Sequence, residues 1–140
     1  MMNDAIITRA SEFVAATQNC VLAQIDENGY PTAATITHAK TEGIKTIFFY
    51  TGLGSNWARR AKDDSRASIC FNSYDPATNV TLVGDIEILT DQALKREIWP
   101  DWMAHYLSGP EDPNGCVLKF RTRRYSIMLS EQEGVAKGTL

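Results

Sequence analysis

Cysteine is scarce in this chain and badly placed for chemistry. Cys20, Cys70 and Cys116 are the only three. They are odd in number, far apart and without a CxxC pair, so neither a disulfide framework nor a zinc site is indicated. Cys20 and Cys70 sit in apolar, strand-like runs and read as buried thiols. Histidine is scarcer still: His38 and His105 are isolated, with no second ligand at metal-binding spacing. No Ser/His/Asp or Cys/His nucleophile pattern can be assembled. Positive charge is not in excess. The formal net charge is −3, which gives no general attraction to nucleic acid or anionic membrane. The densest basic run, Arg121, Arg123 and Arg124, reads as a solvated strand end. No apolar run approaches the length of a membrane span. The first nine residues include Asp4 and no long apolar stretch, so no secretory signal is expected, and a cytoplasmic protein is.

What is present is an ordinary globular composition, 44% hydrophobic and 22% charged over 140 residues, which predicts one domain spanning 1–140. Asp4 is a candidate cap for a helix ending near Asn19. Ile6, Ile7, Ala10, Phe13, Val14 and Thr17 would form its apolar face. Residues 20–26 read as a strand with Val21, Ala23 and Ile25 on one face. Asp26-Glu27-Asn28-Gly29 is a hairpin-type turn, and residues 32–37 read as its partner strand. Thr41-Glu42-Gly43 reads as a turn before a strand over 44–50. A helix over 55–63 and a strand over 66–71 follow. Residues 74–78 read as a loop, and 79–89 as a long strand interrupted at Gly84 by a bulge or close backbone contact. Thr90 is a candidate cap for a helix over 91–99, which Pro100 bends or restarts over 101–107. Residues 108–115 form a Gly/Pro/Asp loop. Strands over 116–121 and 125–129 close the set, and 130–140 reads as a frayed tail. About six strands at hairpin spacing, with two or three helices, favour an antiparallel barrel.

The most informative segment is Phe49-Tyr50-Thr51-Gly52-Leu53-Gly54-Ser55-Asn56-Trp57-Ala58. An apolar run ends in a glycine-containing turn and a helix starts. Backbone N–H groups there, with the Thr51 and Ser55 hydroxyls, suit an anion at a helix N-terminus. This segment resembles the phosphate-binding turn of the pyridoxamine 5'-phosphate oxidase-like flavin proteins. Three further pieces are similar, in the same order. They are Asp26-Glu27-Asn28-Gly29-Tyr30-Pro31, then Asn79-Val80-Thr81-Leu82-Val83-Gly84-Asp85-Ile86-Glu87, then Trp99-Pro100-Asp101-Trp102 through Gly109-Pro110-Glu111-Asp112-Pro113. The last looks like the general-stress-protein branch.

The resemblance implies a mainly β fold, a six-stranded antiparallel split β-barrel with flanking helices, forming a homodimer that binds FMN at the subunit interface. It implies Ala34, Thr35, Ile36 and Thr37 along the flavin edge. Tyr50, Thr51 and Ser55 would face ribityl and phosphate, with Asn56 and Trp57 next to them. Asn79 would reach the flavin from the partner subunit, and Trp99 and Trp102 would cover the ring or the cleft mouth. The chain departs from the family's pattern where an arginine is replaced by Ala34 and an Arg-Lys pair by Asn56-Trp57. Arg59, Arg60 and Lys40 are the nearest candidates to replace those cations.

Each of these residues also has a plainer reading. Trp57 packs the helix on the barrel, Trp99 and Trp102 pack a core or interface, and His38 lies on the surface at a strand end. Asp101 and His105, four apart, share a helix face and read as a surface ion pair or an acid–base unit. Three functions therefore stand: an FMN-dependent oxidoreductase, a non-catalytic module for flavin or a related small molecule, and a dimeric scaffold without cofactor.

Overall fold

The computed structural model describes residues 2–140. Eight strands form one curled antiparallel sheet: β1 (Asn19–Ile25), β2 (Pro31–Thr37), β3 (Lys40–Glu42), β4 (Thr46–Gly52), β5 (Arg66–Ser73), β6 (Thr78–Leu89), β7 (Gly115–Met128) and β8 (Val135–Thr139). Their order is β2-β1-β5-β6-β7-β4-β3, with β8 beside β7. Helix α1 (Met2–Ala16) precedes the sheet, α2 (Asn56–Asp63) joins β4 to β5, and α3 (Gln92–Ile98) with a 3-10 turn (Asp101–His105) joins β6 to β7.

Several expectations are met and several are corrected. The turn at Asp26 forms because its carboxylate accepts from the N–H groups of Asn28 and Tyr30 and the Thr32 hydroxyl, while Gly29 takes φ +83°. The Thr32 hydroxyl is the main reason the Asp26 carboxyl lies below the usual carboxylate range. The register shifts between Val83 and Gly84, as a bulge there requires. The sheet has eight strands rather than six. The strands expected over 116–121 and 125–129 form one continuous strand ending at Met128, because Thr122 is buried and tied to Ile44 and Lys45. The supposed turn at Thr41 is part of β3. The supposed frayed tail carries β8, whose Gly138 passes over the Tyr125 ring, where a Cβ would lie 2.3 Å from the Tyr125 hydroxyl. Asp4 lies inside α1 rather than capping it. Asp91, not Thr90, caps α3, accepting from the Leu94 N–H.

The face that β1 buries also differs from its expected one. Cys20, Leu22 and Gln24 point into the core, and Val21, Ala23 and Ile25 lie half-buried on the opposite face. Both sets are largely apolar, so alternation alone does not choose between them.

The core has two parts. The larger packs α1 and α2 against the sheet through residues such as Val14, Leu22, Phe49, Ile69, Phe71 and Phe120. The smaller packs α3 and the 3-10 turn against β4 and β7 through Phe48, Tyr50, Ile98, Met103 and Val117. β4 is buried on both faces because it separates them. His38 is half-buried rather than a surface residue. Its Nε2 lies 3.0 Å and 3.2 Å from the carbonyls of Thr17 and Val14, so it donates to the end of α1.

At Gly84 a Cβ would lie 1.9 Å from the Arg121 carbonyl oxygen, so β6 or β7 would have to move. Gly84→Ala is expected to destabilise the fold by about 2–4 kcal/mol, read as a fall in the urea midpoint. An unchanged midpoint would show that the strands separate here without penalty.

A cleft between sheet edge, helix start and tryptophan turn

β4 ends at Gly52, opposite Gly115. The chain then turns through Leu53, whose N–H donates to the Asn114 carbonyl at 2.6 Å, and Ser55, whose N–H donates to Gly52. The Ser55 hydroxyl accepts from the Ala58 N–H at 3.1 Å and caps α2. The buried Gln24 amide donates to the Trp57 carbonyl at 2.9 Å, fixing the first turn of α2 to β1.

These constraints open a cleft of about 450 Å³. One wall is Thr35, Ile36 and Thr37 of β2. The floor is Tyr50, Thr51 and Gly52 of β4, followed by Ser55 and Trp57 of α2. Trp102 and Met103 of the 3-10 turn, with Tyr106 just after it, form the far wall. This volume falls in the range of about 300–1,000 Å³ usual for small-molecule sites. Trp57 and Trp102 are half-buried, and Tyr106 is 77% exposed at the mouth.

The far wall is held from behind. Gln92 and Lys95 of α3 donate to the carbonyls of Pro110 (2.9 Å) and Asp112 (2.8 Å), and Arg96 pairs with Glu111. The Asp112 carboxylate accepts from the N–H groups of Ser108 and Asn114. These two bonds, Ser108 first, hold its carboxyl below the usual carboxylate range. The Tyr50 ring meets Trp99 edge-on at 5.1 Å, and its hydroxyl has no partner within the described residues. Burial is the main cause that raises its pKa. At Gly115 a Cβ would stand 3.1 Å from the Tyr50 hydroxyl and press on that ring. Beneath, the Cys116 and Cys20 thiols are pushed by burial up to about 11 and about 12 and stay protonated.

Of the residues singled out in the sequence, Thr35, Ile36, Thr37, Tyr50, Thr51, Ser55, Trp57 and Trp102 meet in this cleft. Four do not line it. Ala34 is exposed on β2. Asn56 points into a separate depression of about 540 Å³ lined by Arg59, Arg60 and four carboxylates, and its side-chain oxygen accepts from Arg59. Asn79 lies on the outer face of β6, donating to the Cys70 sulfur and accepting from Thr81. Trp99 packs on Tyr50 rather than covering the mouth. Met103 and Tyr106 are additions, and the aromatic spacing of Trp102 and Tyr106 was the available signal. Asp101 and His105 form no hydrogen bond or ion pair with each other among the described residues. The His105 ring instead meets Tyr106 at 6.5 Å.

Residues 6–128 match the model of a protein family described as pyridoxamine 5'-phosphate oxidase. The chain belongs to that family. No curated protein matches it. Solved structures agree on the fold. A Clostridium acetobutylicum protein related to general stress protein 26 of B. subtilis superposes with a TM-score of 0.84 at 23% identity, covering 98% of this chain and 96% of that one. A pyridoxamine 5'-phosphate oxidase-related, FMN-binding protein of Nostoc punctiforme gives 0.69 at 13% identity, covering 99% and 95%. A heme-binding protein of Mycobacterium smegmatis gives 0.77 at 21% identity, covering 96% of this chain and 57% of that one. The curled sheet with flanking helices is thus the split barrel of the pyridoxamine 5'-phosphate oxidase family. Among the described residues no helix is long and apolar enough to cross a membrane.

Two predictions arise from this geometry. Ser55→Ala should destabilise the protein by about 1 kcal/mol in urea unfolding, whereas Ser55→Asp should retain most of the cap; equal losses would exclude capping as its role. The depressed Asp112 carboxyl stabilises the 108–115 loop above the unfolded carboxylate pKa, and that contribution is lost as pH falls through its folded value. The Ser108 and Asn114 amide resonances should therefore titrate together with a midpoint below 3.8. A midpoint at or above that value would contradict the pinning.

Proposed function

We propose that this chain is a flavin-binding oxidoreductase that works as a homodimer, with the flavin ring in the cleft described above. One observation carries this reading: a sheet edge, a capped helix start and two half-buried tryptophans converge on a single space of flavin size. FMN is the cofactor the family suggests. The ring end of the cleft fits it, because Thr35, Ile36 and Thr37 offer a strand edge for hydrogen bonds while Trp57, Trp102 and Tyr106 offer amphipathic surface. At the other end the donors are neutral: the Thr51 and Ser55 hydroxyls and the first-turn N–H groups of α2. A bound flavin would supply electron transfer, and the chain's own residues would bind it, orient it and exclude water. The substrate class is a small molecule able to exchange electrons with it.

The outer sheet face supports the dimer. Across neighbouring strands run Thr35, Val21, Cys70, Thr81 and Ser126, and beside them Ala33, Ala23, Ser68 and Val83. Arg124, opposite Val83, ends the second row; the others are small or apolar side chains on a face that no helix of the described residues covers, as suits a second sheet. Asn79 lies on this face, which favours its serving the cleft of the other protomer. A second reading, a binding module without turnover, draws support from the absence of any histidine, cysteine or charged residue among the cleft's lining.

The test is to load the purified protein with flavin and pass it through a sizing column. Flavin absorbance co-eluting with a dimer is expected, followed by bleaching when a reduced nicotinamide cofactor is added without oxygen. Co-elution without bleaching by any electron donor would leave the binding module. A haem-type band in place of flavin would overturn the flavin reading. Val83→Arg should convert the dimer to monomer and reduce flavin retention together.

A further inference from the structure

We infer that the cleft recognises the ring and hydroxylated chain of its flavin and gives no preference to a terminal phosphate monoester, so that its ligand class includes unphosphorylated flavins on equal terms. This rests on the flavin reading above and sharpens it. A phosphate monoester carries between about 1.5 and 2 negative charges at neutral pH and is held in proteins chiefly by charge-assisted hydrogen bonds from arginine and lysine. No lysine or arginine lines this cleft. At the start of α2, where a cation would face the ligand, stands Trp57. Its carbonyl is held by Gln24 and its side chain packs on the larger core.

The nearby cations sit against other groups, although the buried Arg60 Nε has no hydrogen-bond partner among the described residues. Arg59 donates to the side chain of its own helix neighbour Asn56, outside the cleft. Arg60 is only 15% exposed in its side chain, with Nε 3.7 Å from Glu27 on the β1–β2 turn. Lys40 lies between Glu42 and Glu97, 3.9 Å from each, with its ammonium over the Phe48 ring. What remains for the tail of a ligand is neutral: the hydroxyls of Thr51 and Ser55 and the first-turn amide N–H groups of α2. Those suit the alcohol groups of a ribityl chain as well as they suit a phosphate, whereas the dianion alone must give up strong hydration on entering a space walled by Trp57 and Trp102.

Titration of the full chain with riboflavin and with FMN, at low and high salt, tests this. The expected affinities agree within about threefold, and their ratio does not change with salt. Trp57→Arg, and independently Thr51→Arg, should shift the FMN-to-riboflavin ratio toward FMN by about tenfold or more. The ratio is the readout, because it cancels any packing loss common to both ligands. Wild-type protein that binds FMN about tenfold or more tighter than riboflavin would overturn the inference. If Arg124→Ala, on the outer sheet face, then abolished that preference, the cation would be one supplied across the dimer. Failure to bind either flavin would instead overturn the flavin reading itself.

Discussion

The structure depends on how β7 is shared. This 14-residue strand pairs with β6 along most of its length, with β4 over its first half and with β8 over its second. One edge of β7 must therefore release β4 and accept β8 within a few residues. The change happens at Thr122, whose N–H and hydroxyl donate to the carbonyls of Lys45 and Ile44. Directly opposite, Gly84 lets β6 approach the Arg121 carbonyl more closely than any side chain would allow. The resulting bend curls the sheet, brings the end of β4 against Gly115 and sends α2 across toward β1, where Gln24 receives it. The cleft is the space left between that helix start, the β2 edge and the turn held by α3.

Local chemistry made part of this legible in the sequence. The Asp26 turn, the Gly84 irregularity and the start of α2 each have a residue type that only one backbone arrangement satisfies. Long-range pairing was not legible. β3 is three residues long and carries no periodic signal. β8, with Lys137 and Gly138, looks like a polar tail until it is paired with β7. Arg121, Arg123 and Arg124 read as a break between strands because the buried Thr122 is the only inward residue among them. The inward face of β1 was ambiguous because both of its faces are apolar: Cys20, Leu22 and Gln24 meet the core, while Val21, Ala23 and Ile25 stay half-buried on the other side.

The site follows the same division. Residues 35–37, 50–52, 55 and 57 are consecutive or nearly so on elements whose order was readable, and they meet. Asn56 lies one step round the helix from Trp57 and so faces Arg59 and the carboxylates instead. That single rotation separates the charged depression, with its two arginines and four carboxylates, from the aromatic cleft. It also explains why basic residues close in sequence to the turn do nothing for the cleft's charge. Under the proposed reading, binding there would depend on shape, aromatic area and neutral hydrogen bonds, contributions that are each modest and that favour a planar, amphipathic ligand over a small anion.

The most direct test of this account is a crystal structure of the protein grown with riboflavin. The account predicts ring density against Thr35, Ile36 and Thr37, bordered by Trp57 and Trp102, with the outer sheet faces of two protomers in contact and Asn79 of the second protomer at the ligand. Flavin density outside this cleft, or protomers joined through another surface with the cleft empty, would contradict it.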